Sequence, residues 1–153
     1  MGKAFKIKLR EEIDAPQQVV WEAAIDHEGM ADWLEPLEAV QLLRDGKPKN
    51  GMGAIRVLMA PIGEFANVHE RVIYFNPPHS YQYEITKGVP GLEYHLGQVR
   101  VHSNGRAASI IEWTIDFEFK YLHPMIIAAP AIVKGLEYGL ELGLAKLRRQ
   151  LEH

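Results

Sequence analysis

Apolar residues keep a helical period over one long stretch of the chain, Pro124 to Leu151. At 100° per residue, Ile132, Val133, Leu136, Leu140, Leu144 and Leu147 share one arc of about 120°. Lys134, Glu137, Glu141, Arg148 and Arg149 lie outside it, so the spacing predicts a helix laid by one face on a core. Gly135, Gly139 and Gly143 recur along the edge of that arc. Glycine inside a helix costs about 0.5–1 kcal/mol against alanine. The strip is therefore expected to meet a closely passing strand or to border a space for a ligand.

The rest of the chain mostly alternates. Phe5, Ile7 and Leu9 interleave with Lys6, Lys8 and Arg10, the period-two pattern of a strand with one wet face. Asp14 and Pro16 suit a helix start. Val19, Val20, Ala23, Ala24 and His27 then predict a short amphipathic helix ending near Gly29, and Met30 to Leu34 a second helical turn before Pro36. Strands are expected at Leu37 to Leu43, Gly53 to Met59, Glu64 to Phe75, Ser80 to Thr86, Glu93 to His102 and Arg106 to Phe119. In the second of these Ile55, Val57 and Met59 share a face that excludes Leu58. In the last, Ile111, Trp113, Ile115, Phe117 and Phe119 face one way and Glu112, Thr114, Asp116 and Glu118 the other. Short turn-rich links such as Ser103-Asn104-Gly105 call for hairpins. The order β-αα-ββββββ-α thus predicts an α+β domain, an antiparallel sheet curled around the final helix. Such a sheet need not close along its whole length, which leaves room for a cavity.

Composition narrows the function. At 153 residues the chain is most simply one domain, placed at 1–150, with Leu151, Glu152 and His153 read as the remnant of an expression tag. The absence of cysteine removes disulfides, thiolate metal sites and cysteine nucleophiles, and fits a cytoplasmic setting. Seventeen basic and twenty acidic residues are evenly mixed, which argues against nucleic acid as a partner. No run approaches the roughly 18 apolar residues of a membrane span. A homodimer is compatible with the chain, but no stretch specifies an interface.

The motifs resemble a known family. Ile13-Asp14-Ala15-Pro16-Gln17-Gln18-Val19-Val20-Trp21 resembles the opening of the polyketide cyclase/dehydrase family within the START-like superfamily of helix-grip proteins. Trp33-Leu34-Glu35-Pro36, Gly51-Met52-Gly53, His69-Glu70-Arg71-Val72, Tyr81-Gln82-Tyr83-Glu84-Ile85 and Gly105 to Trp113 resemble its later segments. Ala107 and Ala108 stand where that family commonly has threonine. The resemblance implies a helix-grip fold with an elongated apolar cavity between sheet and terminal helix. It carries over no catalytic residue, because its members include cyclases, carriers of lipids, quinones and hormones, and regulators of a chaperone.

Candidate chemistry is sparse. Gly51-Met52-Gly53 lacks the third glycine and the βαβ context of a nucleotide fingerprint. The seven histidines are scattered without the spacing of a zinc centre, so no metal and no cofactor are expected. The residues expected to contact a ligand are Arg56, Met59, Tyr81, Tyr83, Tyr94, Ile111, Trp113, Ile132, Leu136, Gly139 and Leu140. Glu70 and His95 are further polar candidates, although His95 and Tyr94 are out of phase and only one can point inward without a bulge. The leading functional expectation is binding of a hydrophobic small molecule. A cyclase or dehydratase comes second, since a tyrosine, histidine or arginine polarising a carbonyl in a shaped pocket would suffice. A protein-interaction role comes third.

Overall fold

The alternating stretches pair as one antiparallel sheet because each has a continuous apolar face to bury. The computed structural model describes residues 2–152 and contains strands β1 (Gly2–Ile13), β2 (Ala39–Arg44), β3 (Ile55–Met59), β4 (Val68–Asn76), β5 (Ser80–Lys87), β6 (Leu92–Ser103) and β7 (Ser109–Lys120). Helix α1 (Gln17–Ile25) and a short 3-10 helix (Glu28–Asp32) separate β1 from β2, and α2 (Met125–Leu151) ends the chain. The seven strands lie in the order β1-β7-β6-β5-β4-β3-β2, so the first strand closes against the last. Its register sets Ile7 opposite Ile115 and Leu9 opposite Trp113, which places both apolar rows on one face. This is the helix-grip arrangement, with a curved sheet packed against the terminal helix.

The inner face carries the core. Ile7, Val99, Val101, Ile111, Trp113 and Ile115 are all buried there, each contributing about 1.5–3 kcal/mol if fully removed from water. Helix α1 plugs one end of the sheet: Trp21 packs on Phe75 and Tyr81, with ring centroids 5.5 and 6.2 Å away. Gln17 Nε2 donates to the Val101 carbonyl at 3.0 Å and fixes the plug to β6. From α2, Val133, Leu140, Leu144 and Leu147 descend into the core. Ile132 and Leu136 belong to the same stripe but are 42% and 37% exposed, because the sheet is not in close contact with the helix there.

Several local expectations are corrected. The buried face of α1 is Val20, Trp21 and Ala24, one position on from the expected row, and Val19 is exposed. In β3 the inward residues are Arg56 and Leu58, and Val57 stands apart from the main core. Glu64–Ala66 forms a 3-10 turn before β4 begins. The glycine strip of α2 touches neither strand nor cavity along most of its length. A methyl group on Gly135 would meet nothing within 4 Å, and on Gly139 only the Glu35 carbonyl at 3.5 Å. Gly143 alone is tightly approached, by Leu34 Cδ1 at 2.9 Å and the Trp33 carbonyl at 3.2 Å. At the C-terminus Leu151 continues α2 and the Glu152 carboxylate accepts the Asp14 N–H at 2.9 Å. The remaining residue of the expected tag remnant, His153, lies outside the described residues. Among the described residues no helix is long and apolar enough to cross a membrane.

Candidate functional site: a cavity under the terminal helix

Where α2 stands off the sheet, a cavity of about 240 Å³ opens. Trp113, Ile115, Phe117 and Phe119 of β7 make its floor, and Ile132, Val133, Leu136 and Leu140 of α2 its roof. Leu58, Val68, Ile85 and Val89 close the flank, and Met30 and Leu34 the inner end. At liquid density that volume would hold about eight waters, and a lining so apolar favours an apolar guest instead. Three polar residues interrupt the lining: Glu70, Tyr83 and His95.

Glu70 and Tyr83 belong to a buried network centred on Arg56, and His95 packs beside it, its ring 5.5 Å from that of Tyr83. The register of β3 and β4 sets Arg56 directly opposite Glu70. Arg56 Nε donates to Glu70 Oε1 at 2.8 Å, and Nη2 lies 2.8 Å from the same oxygen. Nη1 reaches His27 Nδ1 at 2.9 Å and donates to Tyr81 Oη at 3.2 Å, while the guanidinium carbon sits 4.5 Å from the centre of the Tyr83 ring. Since His27 Nδ1 accepts, the proton of that imidazole is on Nε2 and donates to the Asn50 carbonyl at 2.8 Å. Tyr81 in turn donates to the Ala24 carbonyl at 3.3 Å. The cluster ties α1, the segment after it and three strands into one polar knot in an apolar interior, the setting in which unmatched groups are most costly.

Glycine makes the reach of Tyr83 possible. Gly97 is opposite Tyr83 on β6, and a methyl group there would come 2.1 Å from the ring. With only a backbone beneath it, Tyr83 crosses β6 to β7, where Trp113 Nε1 donates to its hydroxyl at 2.8 Å. The phenol oxygen therefore accepts from Trp113 and keeps its own proton to donate elsewhere.

Burial sets the protonation states. It raises the Glu70 carboxyl above its ordinary range, an effect that Arg56 only partly reverses. Burial also pushes the Tyr83 phenol well up, with the Glu70 charge adding to it, so Tyr83 stays protonated. For Arg56 burial opposes the charge, but Tyr81, Glu70 and Tyr83 more than offset it and the guanidinium remains cationic. Burial first and the Arg56 charge second lower His27 to about 3 and His95 to about 4, so both are neutral donors at physiological pH.

A family model described as polyketide cyclase/dehydrase and lipid transport matches residues 4–152. The chain belongs to that family. Among curated proteins none matches it significantly. Among solved structures, norcoclaurine synthase from Thalictrum flavum in complex with dopamine and hydroxybenzaldehyde superposes with a TM-score of 0.72 at 18% identity, covering 99% of this chain and 90% of that one. The Zhui aromatase/cyclase from Streptomyces sp. R1128 gives 0.71 at 19% identity, covering 96% of each chain. XoxI from Bacillus cereus gives 0.71 at 20%, covering 95% of this chain and 94% of that one. At these identities the likeness establishes the fold. The cavity is the hydrophobic-ligand cavity typical of this helix-grip family.

Of the eleven residues expected at the site, Tyr83, Trp113, Ile132, Leu136 and Leu140 line the cavity together. Arg56 and Tyr81 are buried behind its wall, in the polar network. Ile111 shares the parity of Trp113 but packs in the core beyond the lining. Met59 has the opposite parity to Arg56 and Leu58, so Leu58 takes the place expected for it. Tyr94 is 49% exposed: β6 is irregular between Leu92 and Tyr94, and His95 turns inward instead. Gly139 faces the Glu35 carbonyl rather than the cavity. The inward parity of Phe117 and Phe119 was readable beside Trp113, and His27 was readable as a member of an apolar row, but not as a partner of Arg56, which meets it only across the fold.

Proposed function

We propose that this cavity takes up a small, largely apolar carbonyl compound and that the buried polar residues at its wall catalyse a cyclase- or dehydratase-type reaction on it. The observation that carries the reading is the placement of Glu70 and Tyr83 in an otherwise apolar lining, one a carboxylate of raised pKa and the other a phenol with a free proton. Such a pair has the two functions an intramolecular aldol step needs. Glu70 takes the proton from the carbon beside one carbonyl, the resulting enolate carbon bonds to a second carbonyl carbon, and Tyr83 protonates the oxygen that becomes hydroxyl. In the dehydration Glu70 gives its proton to that hydroxyl, which leaves as water, and the Tyr83 phenolate takes the proton from the neighbouring carbon as the C=C bond forms, so both residues return to their starting states. Arg56 holds Glu70 in place and the cavity wall folds the chain of the substrate. The relatives named as a synthase and an aromatase/cyclase lend this reading weight, and it reverses the order expected from sequence, where binding alone came first.

A cavity just below the usual range for ligand clefts suits one or two rings better than a long acyl chain. The small molecule is the sole partner that the proposal requires, and a cytoplasmic setting, which a chain without cysteine fits, is part of the reading. The test is turnover of a short poly-β-ketone thioester, with products resolved by mass spectrometry. The expected result is a cyclised, dehydrated product formed well above the buffer rate, falling by roughly 100-fold or more in Glu70→Gln. Tight binding with product forming only at the buffer rate would overturn catalysis and favour a carrier, the reading that the ion pairing of Glu70 by Arg56 supports.

A further inference from the structure

Strands β5 and β6 are laddered only between Ser80↔Arg100 and Tyr83↔Gly97, although β5 runs on to Lys87 and β6 begins at Leu92. Where they part, the Ile85 N–H finds no strand carbonyl on that side and donates to Nδ1 of His95 at 3.0 Å. A ring nitrogen that accepts carries no proton, so the neutral imidazole keeps its proton on Nε2. Its ring is held between those of Tyr83 and Phe117, with centroids 5.5 and 5.2 Å away, and lines the cavity. Among the described residues Nε2 has no hydrogen-bond partner, and it is not sealed from open space. The parting of the two strands thus does two things. It opens the flank of the cavity, and it recruits a side chain whose one remaining donor is fixed in identity and held in place.

We infer that His95 Nε2–H is a specificity-determining donor that receives the ligand's carbonyl oxygen, so that the cavity selects ketones and aldehydes over hydrocarbons of the same shape. This rests on the reading of the cavity as a site for a small carbonyl compound, and it names the residue that recognises that group. A donor left without a partner beside an apolar guest loses its hydrogen bond to water, whereas a carbonyl guest restores it. The same selectivity does not follow from Tyr83 alone, whose hydroxyl already accepts from Trp113 Nε1 and whose proton is free to rotate about the phenol C–O bond.

The test uses two probes of nearly equal shape, 2-acetylnaphthalene and 2-ethylnaphthalene, titrated by calorimetry into the intact protein and into His95→Phe. The expected result is roughly tenfold tighter binding of the ketone, about 1.4 kcal/mol, with the ratio falling toward one in the variant. A second measurement does not depend on how the variant folds. Long-range proton–nitrogen NMR of the unsubstituted protein should show His95 as the Nε2–H tautomer, with that nitrogen shifting on addition of the ketone and not of the hydrocarbon. Equal binding of the two probes, a ratio that survives in a folded His95→Phe, or an Nδ1–H tautomer would overturn the inference and leave the cavity reading standing. Failure of both probes to bind would overturn both.

Discussion

Arg56 shows how much a single buried side chain can organise. Its guanidinium contacts Glu70, His27, Tyr81 and the Tyr83 ring, and two of the four, Glu70 and Tyr83, line the cavity. A buried ion pair adds little net stability, because desolvation of two charges consumes most of the attraction. Losing one member is different. Arg56→Met should destabilise the fold by about 3–5 kcal/mol, since Glu70 is then a lone buried charge. Adding Glu70→Leu should recover most of that loss. Urea unfolding of the single and double variants checks this, and a double variant no more stable than the single one would contradict it. The two neutral histidines give a pH signature. Both titrate in the folded protein below the 6.5 of the unfolded chain, so below pH 6.5 the unfolded chain binds more protons and stability falls with pH. The loss continues until His95 titrates near pH 4 and His27 near pH 3. Between pH 8 and pH 5 the pair should cost up to about 4 kcal/mol, with Glu70, raised by burial, working in the opposite direction. Equal unfolding free energies at the two pH values in Glu70→Gln, where that opposing contribution is removed, would refute the buried neutral state.

At the scale of elements, α2 divides into a half that packs and a half that stands off. The three glycines report on it separately. Gly135→Ala and Gly139→Ala should each stabilise the protein by about 0.5–1 kcal/mol, the ordinary helix-propensity gain, because the new methyl meets open space or an ordinary contact. Gly143→Ala should instead cost about 1–3 kcal/mol, because the Trp33 carbonyl must give way. Denaturant midpoints of the three variants, compared at fixed slope, read this directly; a gain at all three would mean that the helix is nowhere tightly gripped. The periodicity of the sequence made α2 and the strands legible, because burial of one face leaves a period in the residues themselves. It could not show the rotation of the helix about its axis to within one residue, and that decided where Gly139 and Ile132 point. Parity carried Tyr81, Tyr83 and Trp113 correctly to the inner face. It failed at β3, where Arg56 points inward because Glu70 and His27 neutralise it or satisfy it from other elements. It could not choose between Tyr94 and His95 either, since the irregularity in β6 leaves no trace in composition.

The whole molecule is a sheet with one plugged end and one loosened flank. Helix α1 and the aromatic cluster of Trp21, Phe75 and Tyr81 fill the plugged end, while the parting of β5 from β6 and the lift of α2 make the cavity. The polar knot around Arg56 lies between the two, where it can both tie the plug to the strands and present Glu70 and Tyr83 to a guest. This division places the three tryptophans in distinct settings. Trp113 lines the cavity with its indole N–H on Tyr83, Trp33 packs edge-on against it at 6.1 Å, and Trp21 is in the plug. The most direct measurement is therefore a titration with 2-acetylnaphthalene followed by the indole N–H signals in a proton–nitrogen NMR spectrum. The account predicts that the Trp113 signal shifts saturably, Trp33 follows weakly and Trp21 stays in place. A silent Trp113, or a shift led by Trp21, would contradict it.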